Sequence, residues 1–308
     1  MDKSYPLISI IIPTLNNEKD LFDCLESIKN VDCVPKQLEV LIWDNGSKSE
    51  CKETIKQYLS KLKEEYDIQN VLIESEENLG VYTTRDELLK RVNPNVKFIL
   101  SIDDDVILPS QILNNMLPFF EQKSSLGIIG PRTVFDDFPS KTAHGAGFIN
   151  WWLGRYSDLD AEEVIECDYV IGCCMLIKKE VIDLVGGFDR DYYTSHGEID
   201  FCLKAKEKGF KTLYQPNVIV RHRVEKEGTQ TLERTYYIFR NKLFVIKKNA
   251  SLLQKITSLL LYSLFWPPKI LIDSIIKNKG INIKEIKIIL KAVSDGITGK
   301  VGKQDING

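Results

Sequence analysis

In residues 98–109 an apolar run meets three consecutive carboxylates, Asp103, Asp104 and Asp105, and resumes as Val-Ile-Leu before Pro109. Such a run reads as a buried strand that carries an acidic cluster at its C-terminal end. Burying three carboxylates without partners is prohibitively costly. A hard divalent cation, Mg2+ or Mn2+, resolves the conflict, because it takes oxygen ligands and keeps positions open for substrate phosphates. The plainer alternative is a solvated acidic turn after a strand, and this stretch alone does not choose between the two.

Three earlier segments repeat the same device. Residues 7–12 are apolar and β-branched, and Pro13 to Asn17 supply turn chemistry before a helical pattern at Leu21, Cys24, Leu25 and Ile28. Residues 38–43 stop at Asp44-Asn-Gly-Ser47, and a Lys/Glu-rich helix over 49–66 follows. Residues 71–73 stop before Asn78-Leu-Gly80, and a helix over 82–92 leads to the strand ending at Asp103. Strands alternating with helices predict an α/β chain with a mostly parallel, Rossmann-like sheet flanked by helices. In such a sheet ligands bind beyond the strands' C-terminal ends. Asp44, Asn78 and the aspartate trio all fall there. Each alone is an ordinary turn former; together they mark a site.

Beyond Pro109 the alternation fades. Gly127 to Pro131, His144-Gly-Ala-Gly147 and the Trp151-Trp152 pair indicate irregular substructure over the open side of the sheet. A strand is expected over 169–177 and a short helix over 179–185, closed by Gly186-Gly187. Gly197-Glu198-Ile-Asp200 opens another helix, whose first turn favours negative charge. A last strand over 217–220 ends at Arg221-His222-Arg223. From about residue 229 the chain reads as helical, with Arg240-Asn241 followed by basic residues, an apolar stretch over 252–266, Pro267-Pro268, and alternating Ile and Lys over 270–290. Three regions follow: 1–110, 111–228 and a basic amphipathic tail, 229–308.

The chain of 308 residues is 43% hydrophobic and 28% charged, enough to bury a large core. Its net charge of −3 is uneven: residues 221–308 carry 17 Lys and Arg against 7 Asp and Glu, which leaves −13 for the remainder. Lys247, Lys248, Lys255 and Lys269 suit an anionic lipid surface, or the tail packs on the body or on a second copy of the chain as a homodimer. Nucleic acid is a poor partner for an acidic body without a recognised binding motif. Seven cysteines without a Cys-x-x-Cys pair fit a reducing cytoplasm. Met1 to Pro6 lack a signal peptide's basic start, and no run of about 20 apolar residues predicts a membrane span. A cytoplasmic protein is expected, peripheral on the inner face of the cell membrane. Neither Gly-x-x-x-x-Gly-Lys-Ser/Thr nor Gly-x-Gly-x-x-Gly occurs.

In order, Ile10-Ile-Ile-Pro13-Thr14-Leu-Asn16, Asp44-Asn-Gly-Ser47, Asn78-Leu-Gly80, Asp103 to Asp105, Gly186-Gly-Phe-Asp189 and Glu198-x-Asp200 resemble a family 2 glycosyltransferase of the GT-A fold. The likeness is greatest to rhamnosyltransferase-type enzymes of cell-surface polysaccharide synthesis and covers about residues 7–245. The resemblance implies an inverting, metal-dependent hexosyltransferase that moves one sugar from a UDP- or dTDP-linked donor to a glycan or lipid-linked acceptor. It places Pro13, Thr14 and Asn16 in the nucleotide pocket, Asp44 on the base, and Asn78 and Gly80 by the ribose or diphosphate, with Arg85 and Asp86 nearby. Asp103 and Asp104 would touch the donor. Asp103, Asp105 and His222 would hold Mn2+ or Mg2+, and Glu198 would be the base. Trp151, Trp152, His144, Asp200 and Tyr192 or Tyr193 are candidates for the acceptor side. Gly197 departs from the pattern, since the family has an acid there. The rivals are a nucleotidyltransferase, which lacks its basic Gly-rich loop here, and a non-catalytic sugar-nucleotide-binding protein.

Overall fold

The computed structural model describes residues 6–223, 231–262 and 283–306. Its first part alternates β1 (Ile8–Thr14), α1 (Glu18–Lys29), β2 (Leu38–Asp44), α2 (Ser49–Tyr66), β3 (Gln69–Glu74), α3 (Val81–Leu89) and β4 (Phe98–Ile102). These four strands lie parallel in the order β4-β1-β2-β3, as the helical crossovers require. The period of two in a strand builds two cores from one sequence run. Ile8, Ile10 and Ile12 face α1 and α2, whereas Ile11 and Leu41 face Leu88 and Leu89 of α3. Thr14, Asp44 and Glu74 are partners in register, so the polar strand ends line up along one edge.

The second part adds β5 (Val106–Ile107), α4 (Ile112–Gln122), β6 (Leu126–Phe135), β7 (Phe138–His144), β8 (Ala146–Asn150), β9 (Arg155–Leu159) and β10 (Ile165–Cys167). It continues with β11 (Cys174–Lys178), α5 (Lys179–Val185), α6 (Gly197–Glu207) and β12 (Lys211–His222). β11 runs antiparallel between β4 and β6, β6 pairs parallel with β12, and β10 lies at the far edge, so one ten-stranded sheet crosses both halves of the chain. β8 and β9 form a separate hairpin. Two-residue β5 pairs antiparallel with the end of β12, setting His222 opposite Val106 and therefore beside Asp105.

The α/β architecture expected from the sequence is the one observed; the expected parallel pairing holds for the first four strands and for β6 with β12, whereas β5, β7, β10 and β11 join the sheet antiparallel. Two strands differ in extent. The one expected over 169–177 begins only at Cys174: Cys173 O still accepts from Asp103 N at 3.0 Å, but Gly172 O turns to Arg85 Nη2 at 2.7 Å, and Tyr169 bridges to Gly147 instead. The one expected over 217–220 is the twelve-residue β12. Gln215-Pro216-Asn217 reads as a break but is absorbed by a register shift between Gln215 and Ile219.

In the tail, α7 (Leu232–Asn249) is capped by Thr231, whose hydroxyl accepts from Arg234 N at 3.1 Å. α8 (Ile283–Thr298) lays Ile288 and Ala292 against Tyr193, Tyr236 and Tyr237. Lys247 Nζ donates to Ile297 O at 2.9 Å and Lys248 Nζ pairs with Asp189 at 2.7 Å, so these two lysines are engaged by the protein itself. Residues 252–262 are helical and leave Leu252, Leu253, Ile256 and Leu260 exposed. Trp266, Pro267, Pro268, Lys269 and part of the Ile/Lys stretch lie outside the described residues. Among those described, no helix is long and apolar enough to cross a membrane.

Candidate active site

A cleft of about 670 Å3 opens beyond the ends of β1 and β4. Pro13, Thr14 and Asn16 form one wall, with Asn16 at φ 50° and its side-chain oxygen accepting from Lys48 N at 2.9 Å. Asp44 does not reach the cleft. It is fully buried and both its oxygens accept from Ser47 N at 3.2 and 3.3 Å, with Lys52 at 3.5 Å. Its neighbour Asn45 lines the cleft instead, donating to Asn78 Oδ1 and accepting from Leu79 N, both at 2.9 Å. Asn78 and Gly80 are also on the wall. Gly80 has φ 85°, and a Cβ there would strike the Tyr193 ring at 2.4 Å. Asp86, by contrast, is tied to Arg190 at 2.6 Å and Lys90 at 3.0 Å, away from the cleft.

The floor is the aspartate trio. Asp103 Oδ1 accepts from Arg85 Nη2 at 2.6 Å, and the buried Arg85 guanidinium packs against both the Tyr82 and Phe188 rings. Asp104 Oδ2 accepts from Thr14 Oγ1 at 2.6 Å, and burial pushes its carboxyl up to about 7. Asp105 lies 3.0 Å from His222 Nε2, and Arg223 N donates to Asp105 O at 3.0 Å. One ligand atom from each of Asp103, Asp105 and His222 falls within 4.8 Å of the others. Asp105 Oδ1 is buried yet makes no aligned hydrogen bond, its approach to the imidazole included. A buried carboxylate oxygen left in that state calls for a cation. The two carboxylates suit Mn2+ or Mg2+ and the imidazole favours Mn2+ of the two, so the residues fit a divalent metal.

Across the cleft stands Glu198, in the first turn of α6. It is buried, and burial raises its carboxyl above the usual glutamate range, against the opposing pull of the Tyr82 hydroxyl, which donates to Glu198 Oε2, and of Arg85. The glycine that replaces the expected acid at 197 now has a cause. A Cβ at Gly197 would lie 2.6 Å from the Tyr82 ring, so the phenol occupies the space that an acid's side chain would need. Gly172 is constrained likewise, since a Cβ there would meet Arg85 at 3.0 Å and Glu198 at 3.2 Å.

Of the acceptor candidates, His144 and Tyr193 line the cleft. Tyr192 is core, and Asp200 is buried against Lys204 at 2.8 Å, so neither reaches it. Trp151 and Trp152 sit in the β8–β9 turn outside the cleft; Trp151 O accepts from Ser258 Oγ and Trp152 is exposed. The wall residues that escaped the sequence include Asn45, Tyr82, Thr194, Ser195 and Arg234. Tyr82 precedes Arg85 by three in a helix, which puts both on one face, and that spacing was the available signal. Arg234 lies in the first turn of α7, where the helical pattern gives the element but not which of its residues meets a cleft built by distant strands.

Residues 9–186 match the Glycosyl transferase family 2 model. The chain belongs to glycosyl transferase family 2. It is 22% identical over 86% of its length to Glycosyltransferase AglE of Haloferax volcanii, covering 82% of that protein. It is 24% identical to the dolichyl N-acetyl-alpha-D-glucosaminyl phosphate 3-beta-D-2,3-diacetamido-2,3-dideoxy-beta-D-glucuronosyltransferase of Methanococcus voltae, covering 78% of this chain and 74% of that one. Its fold resembles that of the mannosyltransferase PcManGT from Pyrobaculum calidifontis, solved with GDP-Man and Mn2+, at TM-score 0.64 and 15% identity over 97% of this chain and 89% of that one. The curled sheet flanked by helices is thus of the GT-A type.

Proposed function

We propose that the protein moves one sugar from a nucleoside diphosphate sugar to a hydroxyl of a glycan or lipid-linked acceptor, inverting the anomeric carbon. One observation carries this: Asp103, Asp105 and His222 converge on the floor of the cleft that buried Glu198 faces from α6. Support also comes from the solved neighbour bound to GDP-Man and Mn2+, and from the relative named for a dolichyl-phosphate-linked sugar. Because the relatives' names differ in their sugars, the donor is proposed only as a class, not as the rhamnosyl donor of the resemblance.

Asn45 and Asn78, locked together, shape the nucleotide end of the cleft. Asp103, Asp105 and His222 would hold Mn2+ or Mg2+, which when bound would neutralise charge on the departing diphosphate. Glu198 takes the proton of the acceptor hydroxyl as that oxygen bonds to the anomeric carbon and the bond to the diphosphate breaks, its electron pair leaving with the phosphate oxygen. Tyr82 holds the Glu198 carboxylate in place for that transfer. A thermal-shift panel of UDP, GDP, dTDP, CDP and ADP with and without Mn2+ tests the donor class. At least one is expected to stabilise the protein, and more with the metal; a flat panel under both conditions refutes a nucleoside diphosphate donor.

A further inference from the structure

Arg240 and Asn241 lie on α7 behind the cleft and touch none of its space, yet both are fully buried. Nδ2 of Asn241 donates to Thr194 O at 2.5 Å and Ser195 O at 2.9 Å, while Oδ1 accepts from Arg240 Nε at 2.9 Å. The amide therefore engages both its donors and its acceptor. Its two carbonyl partners belong to a loop in an uncommon conformation: Ser195 and His196 have φ 61° and 69°, a region that residues with side chains avoid. Two such residues in succession persist only where the surroundings hold them. Thr194 and Ser195 line the cleft, and Glu198 follows two residues after the turn.

Arg240 extends the tie. Its Nη1 donates to Gly302 O at 2.6 Å, its Nη2 lies 3.5 Å from Asp191 O, and its guanidinium packs over Tyr237 at 4.7 Å and Phe244 at 5.1 Å. Gly302 N in turn donates to Asp191 O at 2.8 Å, so the stretch after α8 holds the same carbonyl of that loop.

We propose that Asn241 is a positioning residue: its carboxamide, held by Arg240, keeps residues 194–196 in the left-handed turn that aims Glu198 into the cleft. The inference rests on Glu198 being the base. Asn241→Asp keeps the shape and sets carboxylate oxygens against two carbonyls in place of the donors. Because misplacing a reacting group by about 1 Å costs about 10²-fold in rate, kcat is expected to fall about 10²-fold. Nucleoside diphosphate affinity, read by calorimetry on the full chain, is expected to stay within about twofold, because the donor wall at Pro13 to Asn16 and Asn45 is untouched. Wild-type kcat in N241D overturns the proposal, and so does a donor affinity that falls in step with kcat, which marks a merely structural residue. Should N241D not accumulate folded, Asn241→Ser, which removes one donor without adding buried charge, carries the same test. Glu198→Gln run alongside separates the two claims. An inactive E198Q beside a fully active N241D removes only the positioning role; an active E198Q removes the base on which it rests.

Discussion

Glu198→Gln is expected to lower kcat by about 10²–10⁴-fold, the range of a positioned general base, while leaving nucleoside diphosphate binding within about twofold. The amide oxygen of glutamine can still accept from the Tyr82 hydroxyl, so the cleft keeps its shape and loses only the proton acceptor. The direction of the pKa shift gives two further outcomes. Ionised Glu198 is the working form, so kcat falls as pH drops through a folded-state value that burial holds above the ordinary glutamate range; the acid limb of the profile lies correspondingly high. A carboxyl raised on folding binds its proton more tightly in the folded chain. Its ionised form therefore costs stability above the unfolded-state pKa, in full above the folded-state one. Glutamine removes that cost, and at neutral pH the variant is expected to melt no lower than wild type. Full turnover by E198Q, or an acid limb in the range of a solvated glutamate, contradicts the assignment.

Asp105→Asn is expected to abolish the part of nucleotide affinity that depends on Mn2+ or Mg2+. Losing even an outer-sphere partner of a metal costs about 10–100-fold in affinity, so losing a charged ligand costs at least ~10²-fold. Folding is expected to change little: the carboxamide oxygen can still face His222 Nε2 where the carboxylate lay at 3.0 Å, and the variant removes one of three neighbouring half-buried charges. Asp104→Asn is the control within the same trio. Its carboxyl accepts from Thr14, and it is not among the clustered ligand atoms, so metal dependence persists. Calorimetry of the nucleoside diphosphate with and without metal distinguishes the variants. An unchanged metal response in D105N excludes the trio as the cation site.

The sheet was legible because strand ends announce themselves: each apolar run stops at polar turn residues, and those residues share an edge in the structure. Local periodicity says nothing of contacts across the chain. His222 was placeable on a late strand, but its meeting with Asp105 depends on β5, two residues long and without a sequence signature. Asp44 and Asn45 show the complementary limit. Both are polar residues at a strand end, and only the backbone direction decides that Asp44 turns inward onto Ser47 while Asn45 faces the cleft. Trp151 and Trp152 attracted attention as aromatic residues, yet a hairpin turn carries them away from the cleft. The glycine at 197 read as a missing acid, because the ring that displaces it lies on α3, more than a hundred residues earlier.

The most direct test follows nucleoside diphosphate release from sugar nucleotides in the presence of glycan acceptors on polyisoprenyl phosphate, before and after EDTA. One donor is expected to give acceptor-dependent release that EDTA stops and Mn2+ or Mg2+ restores, with an inverted anomeric centre in the product. Release that continues unchanged in EDTA, or a product that retains the donor's anomeric configuration, contradicts a metal-held diphosphate facing a glutamate base.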